Sequence, residues 1–150
     1  MPTTPSALSK KLGIKKDMRA LIVNAPHGYL DLLAPLPDGV AIAHSAKGSY
    51  NFVQIFLTRQ SEIQKAVSSY LKHSEDGAVV WIAYPKQTSK ADTDLNRDIL
   101  REAAEALGWR TVSIVSIDSV WSALRFRPVS AFARPQPALR GDPLPRDSPS

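Results

Sequence analysis

The stretch LIVNAPHGYLDLL, from Leu21 to Leu33, decides how the rest of the chain is read. With Ala20, residues Leu21 to Val23 form an unbroken apolar run, as a strand buried on both faces requires. Asn24 to Gly28 is turn chemistry, and Tyr29 to Leu33 is a short helical piece stopped by Pro35 and Pro37. Strand, tight turn and helix start are the parts of a phosphate cradle. Such a cradle relies on glycines. Here Pro26 and His27 stand in the turn and only Gly28 remains.

Outward from this unit, strand and helix signals alternate. Asp38-Gly39 marks a turn before a short second strand, Val40 to Ala43. Tyr50 to Leu57, rich in aromatic and β-branched residues, is a third strand. Ser61 and Gln64 have capping-box spacing, and Ile63, Ala66, Val67, Tyr70 and Leu71 follow a helical stripe. Ala78 to Tyr84 is a fourth strand. A second long helix is expected over 93–107, with Leu95, Ile99, Ala103, Ala106 and Leu107 buried and Gly108 ending it. Arg110 to Ile117 and Trp121 to Phe126 are the last two strands, joined by a short turn and therefore antiparallel. The expected fold is a three-layer, Rossmann-like α/β domain over 18–127, its sheet mostly parallel with a C-terminal antiparallel strand.

Composition sets bounds on function. The chain has 150 residues and no cysteine, which excludes disulfides, thiolate metal sites and a cysteine nucleophile. His27, His44 and His73 have no metal-binding spacing, so no metal is expected. No apolar run is long enough to cross a membrane, and Met1 to Lys16 lacks the core of a secretory signal, so the expected location is cytoplasmic. The net charge of +5 is unevenly placed. Lys10, Lys11, Lys15, Lys16 and Arg19 crowd the N-terminus, whereas residues 20–127 hold eleven basic and eleven acidic side chains. Residues 1–17 read as a solvated basic lead-in, with weak nucleic-acid binding through these five residues as the alternative. Six of the twelve prolines follow Arg127, so 128–150 read as a proline-rich tail, disordered from about Phe132.

In an open α/β sheet, ligands bind beyond the carboxyl ends of the strands. That rule collects Asn24, His27, Gly28 and Tyr29 after strand one, and His44 after strand two. It adds Arg59 after strand three, Tyr84 and Lys86 after strand four, and Asp118 and Trp121 after strand five. Asn96, one turn into the expected second long helix, either bonds to the preceding loop or lines the pocket beside Tyr84 and Lys86. Asp94, Arg97, Asp98, Arg101 and Glu105 form the solvated face of that helix, an ion-pair ladder rather than a catalytic dyad. No dinucleotide or phosphate-binding glycine motif and no nucleophile elbow is present.

The order of elements from Met18 to Arg127 resembles the methyltransferase-type Rossmann fold. More closely, KLGIKKDMRALIVNAPHGYLDLLAPLPDGV, YPKQTSKADTDLNRDILREA and IDSVWSALRF are similar to a family of short bacterial proteins of unknown function. Its landmarks are matched at Asn24 to Tyr29, Pro85-Lys86, Thr93 to Asp98 and Trp121 to Phe126. The fold resemblance suggests S-adenosylmethionine, but the glycine-poor first turn and His44 in place of an acidic residue count against it, so no cofactor is expected. The function expected is a non-catalytic methyltransferase-like domain holding a small ligand or protein partner at the rim. The alternatives are an enzyme for a small anionic substrate, with His27 as acid or base and Arg59 or Lys86 as clamp, and a degenerate methyltransferase. Oligomeric state is left open.

Overall fold

A computed structural model describes residues 4–129; the proline-rich tail from Phe132 lies outside the described residues. The elements are α1 (Ala7–Leu12), β1 (Arg19–Val23), α2 (Tyr29–Leu33), β2 (Ala41–Ala43), β3 (Tyr50–Phe56), α3 (Ile63–Ser69), β4 (Ser74–Pro85), α4 (Arg97–Ala106), β5 (Trp109–Ser116) and β6 (Trp121–Pro128). They build one six-stranded sheet in the order β2-β1-β3-β4-β6-β5. The first four pair in parallel, and β6 runs antiparallel between β4 and β5. Strand order reverses between β1 and β3, which places the ligand crevice of such folds beyond their carboxyl ends.

Alternation along the central strands feeds two cores. Leu21, Val53, Ile55, Val80 and Ile82 face α3 and α4, where Ile63, Ala66, Leu100 and Ala104 close over them. Ile22, Phe52, Phe56, Trp81 and Ala83 face α1 and α2, covered by Leu12, Tyr29 and Leu33. Each large side chain fully buried this way contributes about 1.5–3 kcal/mol. Two-sided burial is why β1, β3 and β4 read as continuous apolar runs.

Gln54 is the polar exception in these runs. It is fully buried on the α1–α2 face, and its Oε1 accepts a 2.7 Å hydrogen bond from the Tyr29 hydroxyl. Its Nε2 has no partner among the described residues. Burial pushes the Tyr29 phenol well above its ordinary range, outweighing the opposing effect of the Gln54 bond.

Three expectations need correction. Residues 1–17 are not simply a solvated lead-in, because α1 packs on the sheet. Ser6 caps it by accepting from the Ser9 N–H, Leu12 and Ile14 are buried, and the Trp81 indole donates to the Leu12 carbonyl at 2.8 Å. The second long helix starts at Arg97, not Thr93, because the Asn96 side chain caps it by accepting from the Ile99 N–H at 2.9 Å. The later start turns Leu100 and Ala104 inward, while Ala106 and Leu107 are exposed. Ser61 makes no capping box; the Glu62 carboxylate instead accepts from the Thr58 and Arg59 N–H groups, each at 2.9 Å.

The turn into β2 depends on Gly39. Its φ is +79°, and an added Cβ would collide with the Asp17 carboxylate and press on its Cα at 3.4 Å. Gly28 shares the left-handed conformation (φ +84°) but has nothing within 4 Å of that position. Gly39→Ala should therefore destabilise by about 1–3 kcal/mol and by more than Gly28→Ala, where strain acts alone; urea midpoints at constant m-value will check this.

Tyr29→Phe should cost about 1–3 kcal/mol by leaving the Gln54 amide wholly unpartnered, and adding Gln54→Met should restore most of the loss. The raised phenol also sets a pH dependence. The folded state keeps its proton where the unfolded chain loses it, so wild-type stability should fall as pH climbs past about 10, and less so in Tyr29→Phe.

Candidate functional site

Two of the shallow cavities on the rim beyond the strand ends gather residues expected from the sequence. The first, about 360 Å3, lies where β1 and β2 end and is lined by Asn24, Pro26, Gly28, Tyr29, Asp31 and His44, among others. Asn24 is left-handed (φ +61°), which bends the chain out of β1. The Tyr29 N–H closes the turn on the Pro26 carbonyl at 3.0 Å. His44 Nδ1 lies 3.3 Å from the Ile22 carbonyl. Because a carbonyl only accepts, Nδ1 is the donor in this contact, and Nε2 has no hydrogen bond to the described residues. Asp31, His44 and Asn24 give this cavity polar side chains, and no lysine or arginine lines it.

The second cavity, about 370 Å3, sits between the ends of β4 and β6 and the start of α4. It brings Tyr84, Lys86 and Asn96 together, as the sequence suggested, with Ser122 and Ile114 beside them. Burial raises the Tyr84 phenol, partly opposed by its hydrogen bond to Ser122. Lys86 Nζ donates to Ser116 Oγ at 2.6 Å.

Several expected site residues serve the chain itself. The Arg59 guanidinium pairs with Asp92, and the Thr93 hydroxyl and Asp94 carboxylate bond to Thr58 and Gln60, so the loop before α4 is laced onto the end of β3. Asp118 Oδ1 accepts from the Val120 and Trp121 N–H groups and shapes the β5–β6 turn. Trp121 meets Phe56 edge-on at 5.1 Å, and Phe56 meets Tyr29 at 4.7 Å, an aromatic row roofing the α1–α2 core. His27 is exposed and makes no hydrogen bond to the described residues, which removes the geometry that an acid–base role needs. For the enzyme reading built on His27 with Arg59 or Lys86, the structure gives the imidazole no hydrogen-bond partner among the described residues and pairs the Arg59 guanidinium with Asp92. Asp98 pairs with Arg97 and Arg101, as the exposed ladder required, while Asp94 leaves the ladder to hold Gln60.

The basic N-terminal residues divide. Lys11 Nζ donates to the Ser116 carbonyl at 2.9 Å. Arg19 stacks on the Tyr50 ring at 5.0 Å. Lys10, Lys15 and Lys16 are exposed. Asp31 and Asp92 were not read as site residues; helical spacing alone does not show that Asp31 faces the turn, and only the folded loop brings Asp92 to Arg59. Among the described residues no His, Asp and Glu cluster could hold a metal ion, and no helix is long and apolar enough to cross a membrane.

No protein-family model matches the chain, and no curated protein matches it. Solved structures do. The DhpI–SAH complex aligns at a TM-score of 0.56 and 15% identity, covering 81% of this chain and 82% of its own. A SAM-dependent methyltransferase from Aquifex aeolicus aligns at 0.53 and 16%, covering 78% and 85%. A protein of the NADB-Rossmann superfamily from Streptococcus agalactiae aligns at 0.50 and 13%, covering 85% and 70%. At such identities the likeness is one of architecture: the chain is a mixed α/β protein with a methyltransferase-like Rossmann fold.

Proposed function

We propose that this chain is a non-catalytic, methyltransferase-like domain that holds a small hydroxyl-bearing ligand, of the nucleoside class, at the end of β1 and β2. The observation that carries this reading is the first rim cavity, whose lining brings together Asp31, a carboxylate acceptor, with His44 and Asn24 and holds no lysine or arginine. Acceptors facing one small cavity suit ligand hydroxyl and amine donors rather than a phosphate.

A resident S-adenosylmethionine of the usual kind fits less well. The turn has one glycine, α2 is five residues long, and the Tyr29 N–H at its start is already bonded to the Pro26 carbonyl. The absence of catalysis is supported by the rim chemistry, since Arg59, Lys86 and Asp118 are engaged within the chain. The same reading places the chain in the cytoplasm and beside the short bacterial family that its Asn24–Tyr29 turn resembles.

Calorimetry with adenosine, S-adenosylmethionine and S-adenosylhomocysteine tests this. At least one should bind, and His44→Ala should weaken it by about tenfold, the worth of one hydrogen bond. Absence of binding by all three sinks the ligand reading. Binding accompanied by transfer of a labelled methyl group sinks the non-catalytic one.

A further inference from the structure

The charge balance of residues 20–127 hides a segregation. Five of its eleven acidic residues lie between Asp92 and Glu105, on α4 and the loop before it. The opposite face of the sheet is covered by α1, which has no acidic residue, and by α2, which has one, Asp31. Three contacts fix where α1 ends. The Trp81 indole donates to the Leu12 carbonyl, a Cβ on Gly13 would touch Val79, and Lys11 Nζ reaches across to the Ser116 carbonyl of β5.

Between those anchors lies Arg125. It stands opposite Trp81 on one side and Ser113 on the other, and residues opposite one another in a ladder share a face. Its Nε has no hydrogen-bond partner among the described residues. Arg127, two residues on, and Arg110, paired with it, fall on the same face by strand alternation. Neither β5 nor β6 contains a carboxylate. Lys11 and the last strands, about a hundred residues apart in the chain, thus meet on one face.

We infer that this surface, formed by Lys10, Lys11, Lys15, Lys16 and Arg125, docks the sugar–phosphate backbone of a nucleic acid. It is separate from the acceptor-lined cavity of the proposed function and stands whether or not that cavity binds a ligand. The surface is predominantly positive, with the exposed Asp17 beside Lys15 and Lys16, and such a charge excess complements a phosphate backbone, which gives affinity without sequence readout. A specific acidic protein would call for an apolar anchor at the centre of the patch. A membrane would call for exposed apolar side chains to insert. The exposed apolar side chains on this face, Leu30 and Leu32, belong to α2, and none lies on α1 beside the lysines.

Fluorescence anisotropy on the whole chain, with a labelled oligouridylate of about 20 nucleotides and salt varied from roughly 50 to 200 mM, tests the inference. Five cations on a single strand should give a slope of log K against log salt of about −3.5. Reversal at Lys10→Glu, Lys11→Glu, Lys15→Glu and Lys16→Glu together should weaken binding by at least about tenfold. Arg125→Gln should reduce the slope by about 0.7. If Arg125→Gln does not fold, the lysine variant decides. Lys65→Glu with Lys72→Glu, on the opposite side, should leave affinity within about twofold. Three results overturn the inference: no binding at low salt, an equal loss in that distant pair, or tighter binding of a polyglutamate of matched length, which would mark an acidic protein as the partner.

Discussion

The hydrogen bond from Tyr29 to Gln54 constrains this fold at its centre. β3 lies third in a six-stranded sheet and is buried on both faces, so the Gln54 side chain can be answered only from within. Gln54 is answered by one hydroxyl, and that hydroxyl belongs to the first residue of α2. The bond therefore sets how α2 leaves the Asn24–Gly28 turn, how Phe56 and Trp121 stack beside it, and how much room remains where related architectures hold a ligand. The turn and the core beneath it are one unit.

Strand identity was legible because two-sided burial demands unbroken apolar runs, as in Leu21 to Val23 and Val79 to Ala83. The antiparallel last strand was legible from the short Asp118–Ser119 turn. α1 was not, because six residues with two leucines leave too little periodicity to detect, and its anchors Trp81 and Leu33 are distant in sequence. The start of α4 was misplaced for a local reason. Thr93 and Asn96 are both capping residues, and only the folded loop, in which Thr93 bonds Thr58, settles which of them opens the helix.

Of the candidate site, Asn24, Gly28 and Tyr29 line one cavity, and Tyr84, Lys86 and Asn96 line another. The sequence could not tell groups that face a cavity from groups that lace the rim to itself. Arg59 and Asp118 have the composition of ligand-binding residues, yet they spend their hydrogen bonds on Asp92 and on a turn. Charge told a similar story. A neutral sum over residues 20–127 concealed two poles, because summation along a chain ignores which face of the sheet each residue reaches.

The position of β6 carries a consequence for the order of assembly. β6 follows every other strand in the chain but lies inside the sheet, between β4 and β5. Until Trp121 to Pro128 have been synthesised, β4 is an open edge and β5 has no neighbour at all. Folding in step with synthesis can complete the β2-β1-β3-β4 half. The acidic helix and the arginine-bearing strands acquire their relation to it only when the final strand closes the gap.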